Sequence, residues 1–436
     1  MKVNIITLGC SKNLVDSELL GGFLTQAGME VRYDGEQMPF DVVIINTCGF
    51  IDQAKEEAID TILAVCEEKS KGNVGKIIAC GCLINLYKQE LQQELKEVDA
   101  FFGTAQQKEI AQYINDNSQD ANAGVRKLST PRHYAYLKIS EGCDRKCSFC
   151  SIPLIRGKHI SRPIEDLVAE AKALVNQGVK ELILIAQDTT YYGVDIYGKR
   201  RLGDLIRELA KIESLVWIRI QYAYPNQFPL EILELMKTEP KLCKYIDMPL
   251  QHINDEVLQS MRRNIDGKQT RALVEQIKKE IPDIAFRTTL IAGYSGETKQ
   301  QFNELKAFVK QMRFDRLGVF EYSPQEGTAA YLLPDSVSQK EKSRRLNELM
   351  EMQQEISLEI NQAKIGKVFN IIIDREEGEY WIGRTEYDSP EVDNEVLVSK
   401  KFNLRIGDFV RCKITEGVEF DLMAEPVDAS LFDNKK

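Results

Sequence analysis

Histidine is scarce in this sequence, with only three among 436 residues, so we do not expect a histidine-rich zinc site. No apolar run reaches the ~20 residues that a membrane-spanning helix needs, and the chain starts in a strand-like segment without a signal peptide. Positive charge is not in excess, because the net charge is −10, which disfavours a general polyanion binder. Ten cysteines without a secretory signal favour reduced thiols that bind metal over disulfides. We therefore expect a cytoplasmic protein with no membrane attachment.

Three of the cysteines form the most informative motif. Cys143, Cys147 and Cys150 follow the spacing C-x3-C-x2-C, and no fourth cysteine follows at a matching interval. Three thiolates can hold three irons of a [4Fe–4S] cluster and leave the fourth iron open for a small chelating molecule. The alternative is three core cysteines clustered by chance, but the charged residues between them make a poor apolar core. The motif, with Phe149 just before the last cysteine, resembles that of the radical S-adenosylmethionine (SAM) enzymes.

The pattern of apolar segments predicts an α/β protein of three domains. Residues 1–125 alternate three strands and three helices, which is typical of a small parallel sheet covered by helices. Residues 126–364 hold six further strand and helix units, the pattern of a partial TIM-like barrel, followed by a long charged helix. Residues 365–436 hold five short strands, which predicts a small antiparallel β-barrel of OB-like size. A polar segment at 115–124 is predicted to be a linker.

The predicted elements are listed here by residue number. In the first domain the strands are 3–8, 41–46 and 76–79, and the helices are 14–26, 53–68 and 83–95. In the second the strands are 134–139, 181–185, 216–221, 245–248, 285–290 and 317–322, and the helices are 164–176, 202–212, 268–279, 299–311 and 338–363. In the third the strands are 368–374, 380–385, 395–398, 408–414 and 419–425.

A second set of cysteines lies in the first domain. Cys10, Cys48 and Cys82 each come just after a predicted strand, at the turn into the next helix. Because the carboxyl ends of parallel strands meet at one edge of the sheet, we expect these thiols to converge there. Cys80 competes with Cys82 but lies within the strand, so Cys82 is preferred. The remaining cysteines are interpreted as ordinary buried thiols: Cys66, Cys80, Cys243 and Cys412.

Two incomplete cluster sites, a barrel and a terminal small barrel together resemble the methylthiotransferases, radical-SAM enzymes with a C-terminal TRAM domain. The resemblance covers nearly the whole chain. The segments Leu8-Gly9-Cys10-Ser11-Lys12-Asn13 and Asn46-Thr47-Cys48-Gly49-Phe50 are similar to the branch that modifies a ribosomal protein (RimO), not to the tRNA branch (MiaB). Further segments that fit this branch are Glu141-Gly142-Cys143-Asp144, Ile152-Pro153, Arg156-Gly157 and Ser161-Arg162-Pro163.

The resemblance implies a transferase that adds a methylthio group to the β-carbon of an aspartate in the twelfth protein of the small ribosomal subunit. It implies SAM and two [4Fe–4S] clusters as cofactors. One cluster on Cys143, Cys147 and Cys150 binds and cleaves SAM, and the auxiliary cluster on Cys10, Cys48 and Cys82 presents sulfur. An unactivated C–H bond resists acid–base groups, so a cofactor must supply the radical. The partners are then a basic ribosomal protein, free or in the assembled subunit, and an electron donor such as a flavodoxin or ferredoxin.

Candidate SAM contacts are less specific. Phe149 is expected near the adenine, and Gln187-Asp188-Thr189 follows a strand where relatives bind the SAM amino group. Arg287 could pair with the SAM carboxylate, and Gly293 could let the backbone approach the adenosine. Gln251 and His252 end another predicted strand, with ordinary polar strand-end residues as an equal alternative. The Gly293–Gly296 spacing alone is also explained by a simple turn.

The charge of the last domain bears on the partner. Residues 365–436 contain 16 acidic and 10 basic side chains, a net charge of −6. An RNA-binding face carries the opposite sign, whereas an acidic face suits a basic protein; a merely solvated acidic surface is the plainer interpretation. The alternatives are a MiaB-like tRNA adenosine methylthiotransferase, which we expect less, and a non-catalytic iron–sulfur electron carrier.

Overall fold

The computed structural model describes residues 1–115 and 126–427. The chain begins with a parallel sheet of five strands, in the spatial order β2-β1-β3-β4-β5, with helices on both faces. Its elements are β1 (Lys2–Thr7), α1 (Ser11–Gln26), β2 (Glu30–Tyr33), β3 (Phe40–Thr47), α2 (Asp52–Ser70), β4 (Val74–Gly81), α3 (Cys82–Glu94), β5 (Ala100–Phe102) and α4 (Gln107–Ile114).

The three predicted strands of this sheet are confirmed. Each has consecutive buried residues, so both faces of the sheet are covered. The two edge strands β2 and β5 and helix α4 were not predicted. Both strands are short, and in β2 only Val31 is buried, so neither has a recognisable pattern. The predicted linker 115–124 lies outside the described residues beyond its first position.

The second part of the chain is a partial barrel. Strands β6, β9 and β10 form one parallel sheet and β11, β12 and β13 form another. A bridge between Ile218 and Leu242 and a backbone hydrogen bond from Ala223 to Asp247 at 2.8 Å connect the two sheets. The strands are β6 (Tyr134–Lys138), β7 (Ser140–Glu141), β8 (Ile160–Ser161), β9 (Glu181–Ile185), β10 (Trp217–Ile220), β11 (Tyr245–Asp247), β12 (Ala285–Ala292) and β13 (Arg316–Glu321). All six predicted barrel strands are confirmed.

The helices of this part lie outside the strands. They are α5 (Ile152–Arg156), α6 (Ile164–Asn176), α7 (Val194–Tyr197), α8 (Leu202–Ala210), α9 (Glu231–Thr238), α10 (Asp255–Ser260), α11 (Gly267–Glu280), α12 (Lys299–Met312) and α13 (Gln339–Gln362). Alternation along the strands divides the side chains between two cores. Ala135 and Leu137 face the helices, whereas Tyr134 and Tyr136 face the interior of the barrel.

Helix α1 of the first domain packs into the interior of the partial barrel. Its Val15, Leu14 and Leu19 contact a cluster that contains Tyr134 and Tyr136. The first domain therefore takes part in the core of the second.

Among the described residues, no helix is both long and apolar enough to cross a membrane.

The last part is a closed five-stranded barrel, as predicted. Its strands are β14 (Val368–Glu377), β15 (Tyr380–Thr385), β16 (Glu395–Ser399), β17 (Phe409–Gly417) and β18 (Asp421–Pro426), in the order β14-β15-β16-β18-β17. Four of the pairings are antiparallel, but β16 and β18 pair in parallel and so close the barrel.

The loop between β15 and β16 enters the amino-terminal end of the partial barrel. Asp388 accepts hydrogen bonds from Arg316, and Asp393 accepts one from the Tyr245 hydroxyl at 2.6 Å. Both carboxylates are buried. The expectation that the acidic residues of this domain form a face for a basic partner is therefore corrected for these two, because they neutralise cations within the chain.

Candidate functional site

The C-x3-C-x2-C motif lies in a loop between β7 and α5, beyond the carboxyl end of β6. Two backbone hydrogen bonds of Ser148 hold the loop in place. Its N–H donates to the Met261 carbonyl at 3.1 Å, and its carbonyl accepts from the Ala330 N–H at 2.7 Å. The Arg145 backbone N–H donates to the Cys143 sulfur at 3.4 Å. The loop thus presents its thiols at the end of the barrel where ligands bind in such folds.

These thiols lie close enough together to affect one another. Burial, together with the neighbouring Cys147 and Cys143, raises the pKa of Cys150 to about 12. Burial also raises the pKa of Cys143 to about 11, with Asp188 and Cys147 contributing. Because iron binds the thiolate, cluster assembly at this site must displace protons.

The second set of cysteines converges as predicted at the carboxyl edge of the first sheet. Cys10 precedes α1, Cys48 follows β3 and Cys82 is the first residue of α3. Burial raises the pKa of Cys82 to about 12, and Cys10 and Cys48 each add to the increase. The close approach depends on Gly9, whose φ is +92°, because a Cβ there lies 2.7 Å from the Cys48 Cβ.

Asn13 connects the three loops that carry these cysteines. Its side-chain amide donates to the Leu8 carbonyl at 2.8 Å and to the Thr47 carbonyl at 3.0 Å. Its side-chain oxygen accepts from the Cys82 thiol at 3.5 Å. One side chain from α1 therefore holds the strand ends that precede Cys10 and Cys48 against Cys82.

The structure separates Cys82 from Cys80. Cys80 lies in β4 and packs with apolar residues such as Val3 and Ile5 on one face of the sheet. Burial raises its pKa well above the usual range. Cys66, Cys243 and Cys412 are likewise buried among apolar neighbours. This placement supports Cys82 as the third thiol of the second set.

A buried network of charges joins the two cysteine sets across the domain boundary. Arg156, at the end of α5, donates to Asp16 of α1 at 3.1 Å and to Glu141 at 2.9 Å. Lys138 contacts the other oxygen of each carboxylate. Burial opposes ionisation of Glu141, but the two cations outweigh it and lower its pKa to about 2. Asp16 lies close to the second set, and Glu141 lies two residues before Cys143.

Arg156 also reaches the second set directly. Its Nη2 donates to the Asn13 side-chain oxygen at 2.6 Å and to the Cys82 sulfur at 3.6 Å. At the first set, Arg263 donates to the Cys147 sulfur at 3.4 Å. The Tyr224 ring lies between the guanidinium groups of Arg145 and Arg263, 4.2 and 4.3 Å from its centroid.

Two of the predicted SAM contacts have unsatisfied buried acceptors. The side-chain oxygens of Gln187 and Gln251 have no hydrogen-bond partner among the described residues. Gln187 donates through its nitrogen to Glu141 at 3.3 Å. Gln251 has a φ of +73°, a left-handed backbone that is costly for a side chain with a Cβ. An unpaired buried acceptor and a strained backbone are both typical of ligand sites.

Asp188 and Phe149 lie near the first cysteine set with partners of their own. Asp188 accepts from Arg145 Nε at 2.8 Å and from the Thr190 backbone at 3.0 Å. With Cys143 and other residues it lines a cavity of about 80 Å³. Phe149 packs against an apolar cluster that includes Tyr294.

Three predicted SAM contacts are placed elsewhere or committed to other groups. Arg287 donates to Asp247 at 2.9 Å and pairs with Asp393 at 3.3 Å, so its guanidinium is already paired with two carboxylates of this chain. His252 is fully buried between Glu297 and the Asn254 backbone, which supports the alternative of a structural strand-end residue. Gly293 has a φ of +74°, and a Cβ there meets Lys342 at 2.4 Å, so packing against α13 explains this glycine.

The residues present fit two iron–sulfur clusters better than single metal ions. Within residues 1–115 and 126–427, no group of three or more His, Cys, Asp or Glu side chains is arranged to hold one metal ion. Ligands of a cluster bind different irons and stand farther apart than ligands of one ion. The donor set of each site is three thiols with no histidine, which suits iron–sulfur chemistry.

Sequence reasoning missed the residues that surround the cysteines. Asn13 and Arg156 occur in segments that fit the family. However, Arg156 contacts Cys82 and Asn13, which lie 74 and 143 residues away in the sequence. Arg263 and Tyr224 carry no motif. No local spacing could indicate such contacts.

Models of known families match three parts of the chain. The radical SAM superfamily matches residues 137–309, the uncharacterized protein family UPF0004 matches 2–103, and the TRAM domain matches 365–427. With the cysteine loop at the carboxyl end of a partial barrel, this match defines a radical-SAM protein, a class that uses SAM and a [4Fe–4S] cluster.

Curated relatives give the family within that class. The chain is 52% identical over 430 residues to ribosomal protein uS12 methylthiotransferase RimO of Christiangramia forsetii, covering 98% of this chain and 95% of the relative. It is 52% identical over 427 residues to the enzyme of that name from Flavobacterium johnsoniae, covering 98% of both. For the same enzyme of Bacteroides fragilis the identity is 51% over 425 residues, with 97% and 98% covered. The chain belongs to the RimO family of methylthiotransferases.

Solved structures with little sequence identity share the fold. The radical SAM methyltransferase TsrM from Kitasatospora setae, with tryptophan and a SAM analogue bound, aligns with a TM-score of 0.54 at 14% identity. The alignment covers 86% of this chain and 79% of that chain. The cobalamin-dependent SAM radical enzyme OxsB aligns with a TM-score of 0.51 at 12% identity, covering 81% and 57%. These likenesses concern the fold alone.

Proposed function

We propose that this protein transfers a methylthio group to the β-carbon of an aspartate in ribosomal protein uS12, with SAM and two [4Fe–4S] clusters as cofactors. The observation that carries the proposal is the pair of cysteine sets joined by one buried network across the domain boundary. Family membership supports the substrate, since the relatives named above are uS12 methylthiotransferases.

Each cysteine set has its own role in the proposal. Three thiols at each site leave one iron of a cluster free to bind a further molecule. When bound, the first cluster with SAM would supply the one-electron chemistry that breaks an unactivated C–H bond, and the auxiliary cluster would present sulfur. The sites are the SAM-binding set Cys143, Cys147 and Cys150, and the auxiliary set Cys10, Cys48 and Cys82.

The remaining groups bind and orient. Gln187 and Gln251 have free buried oxygens that can accept hydrogen bonds from the SAM amino group. Glu141 fixes the Gln187 nitrogen at 3.3 Å, which leaves the Gln187 oxygen as the group free to meet a ligand. Phe149 supplies apolar surface beside the first cysteine set.

A non-catalytic electron carrier fits the site less well. Such a protein protects every iron with a protein ligand, whereas both sites here have three thiols. In the proposed reaction the protein accepts electrons from an external one-electron donor, such as a flavodoxin or ferredoxin, rather than acting as a carrier itself.

The test is mass spectrometry of the substrate after an anaerobic reaction. Reconstituted protein is incubated with SAM, a reductant and purified uS12, and in parallel with unmodified tRNA. A gain of about 46 Da on one aspartate, from CH3S replacing H, is expected for uS12 only. Cys66→Ala is the matched control, because Cys66 is a buried thiol in the middle of α2, and it should retain product while Cys10→Ala loses it.

The outcomes separate the alternatives. A mass gain on tRNA and none on uS12 would replace the substrate with an adenosine. Absence of 5′-deoxyadenosine with both substrates would contradict the radical chemistry itself. Full activity of Cys10→Ala would contradict the role of the second cysteine set.

A further inference from the structure

Each cysteine set has one buried arginine directed at a thiol sulfur. Arg156 Nη2 lies 3.6 Å from the Cys82 sulfur, and Arg263 Nη1 lies 3.4 Å from the Cys147 sulfur. Both arginines are more than nine-tenths buried. Hydrogen bonds to cluster sulfurs and nearby charge are two of the main determinants of cluster potential.

The charge of Arg156 is balanced within the protein. Asp16 and Glu141 both accept hydrogen bonds from it, at 3.1 and 2.9 Å. Lys138 contacts the same two carboxylates, so two cations face two anions. The contact with the Cys82 sulfur is therefore made by a cation whose field is largely cancelled nearby.

The charge of Arg263 is not balanced in this way. In the part of the chain that the structure describes, no carboxylate forms an ion pair with Arg263, and its Nε has no hydrogen-bond partner. Its other contacts are the Pro249 carbonyl and the Tyr224 ring, 4.3 Å from the guanidinium. A buried cation without an anion is strongly unfavourable. The Cys147 sulfur, 3.4 Å from Arg263 Nη1, is the position from which a metal-bound thiolate would supply that negative charge.

We propose that Arg156 and Arg263 are positioning residues that each raise the reduction potential of the cluster on their own side. This inference rests on the proposed assignment of one cluster to each cysteine set. Reduction adds one negative charge to a cluster, and a nearby cation that donates an N–H to a ligand sulfur favours the reduced form. Because Arg156 is neutralised by carboxylates and Arg263 is not, Arg263 has the larger effect.

The test is a redox titration of the full-length, reconstituted protein, followed by electron paramagnetic resonance. Each cluster is observed alone in a background that lacks the ligands of the other. These backgrounds are Cys143→Ala/Cys147→Ala/Cys150→Ala for the auxiliary cluster and Cys10→Ala/Cys48→Ala/Cys82→Ala for the SAM-binding cluster. Iron and sulfide content and a thermal melt are measured for every variant, so that loss of the cluster or of the fold is detected separately.

The arginine variants have distinct expected results. Arg263→Gln lowers the ratio of reduced to oxidised SAM-binding cluster about tenfold at a fixed potential, which corresponds to about 59 mV for one electron. Arg156→Gln lowers the corresponding ratio for the auxiliary cluster by a smaller factor, about threefold. Neither variant moves the potential of the other cluster. Arg263→Lys and Arg156→Lys keep the charge and recover at least half, but not all, of each shift.

Several outcomes would overturn the inference. These are no shift in either cluster, equal shifts in both clusters from one substitution, or lysine variants that shift as far as the glutamine variants. If Arg156→Gln does not fold, Asp16→Asn/Arg156→Met keeps the network neutral, and the auxiliary potential must still fall. If Arg263→Gln does not fold, the Arg263→Lys potential must still lie below that of the parent background.

The result is distinguishable from a failure of the proposed function, because no ribosomal protein is present in the titration. Two clusters with arginine-dependent potentials but no methylthio product would refute the function and support this inference. Uptake of a single cluster by the unsubstituted chain would overturn the inference together with the two-cluster assignment.

Discussion

Replacement of Asp388 by alanine should destabilise the docking of the C-terminal barrel strongly. The Asp388 carboxylate is fully buried and accepts from Arg316 Nε at 3.1 Å, from a second Arg316 nitrogen, and from the Thr385 hydroxyl at 2.6 Å. Its removal leaves the Arg316 guanidinium, only 6% exposed, without its anion. Breaking a buried pair in this way costs about 3–5 kcal/mol.

The double variant Arg316→Met/Asp388→Ala tests the origin of this loss. Removing both charges leaves no buried unpaired group, so the double variant should be more stable than Asp388→Ala by about 2 kcal/mol or more. The matched control is Glu395→Ala, which breaks a bidentate pair with Arg375 in the same barrel. That pair is 36–45% exposed, so its loss should cost less than about 1 kcal/mol.

Urea unfolding followed by tryptophan fluorescence measures these changes. The chain has two tryptophans. Trp217 packs edge-on against Phe409 at 4.8 Å, at the contact between the two barrels, and Trp381 lies in the C-terminal barrel. With a slope of about 2–3 kcal/mol per molar urea, the midpoint should fall by about 1–2.5 M in Asp388→Ala. A loss no larger than that of Glu395→Ala, or a double variant no more stable than Asp388→Ala, would refute the reasoning.

Three further predictions concern the thiols, a glycine and a lysine. Cys80→Ala should keep the iron of the auxiliary site and Cys82→Ala should lose it. An iron assay that gave the reverse would make Cys80, not Cys82, the third ligand. Gly9→Ala should lower bound iron from about eight to about four per chain, because a Cβ there clashes; the control Gly28→Ala, whose φ is also positive but whose Cβ meets open space, should keep all of it. Burial and a nearby arginine lower the pKa of Lys364 from 10.5 to about 8, so the unfolded chain binds more protons there and stability rises between these pH values. Lys364→Met should therefore raise the free energy of unfolding by about 1 kcal/mol at pH 7 and by nothing above about pH 10.5; a gain that is independent of pH would contradict this.

The sequence was sufficient to predict the elements that bury a complete apolar pattern. Strand β4 is an example, because its continuous apolar run identifies a strand covered on both faces. Cys82 follows that strand, so the parallel topology alone placed its thiol at the ligand-binding edge. Strand β5 was missed because it has only three residues and lies at an edge.

The sequence could not predict which charges are used inside the molecule. The acidic residues of the last domain were counted as a surface, yet Asp388 and Asp393 are buried against arginines and a tyrosine of the preceding barrel. Arg287 was a reasonable partner for a SAM carboxylate, but two carboxylates from different parts of the chain already surround it. Composition gives the number of charges, and only the tertiary contacts show which of them remain available to a partner.

The packing of the three domains determines from which side a protein substrate reaches the cysteines. The C-terminal barrel closes the amino-terminal end of the partial barrel through Asp388, and helix α1 fills its interior through Val15. The carboxyl end, where both cysteine sets lie, is the side that these two contacts leave open. Cys10 is exposed there, whereas Cys48 and Cys82 are buried. Cys10 is therefore the thiol of the second set that a molecule approaching from solvent meets first.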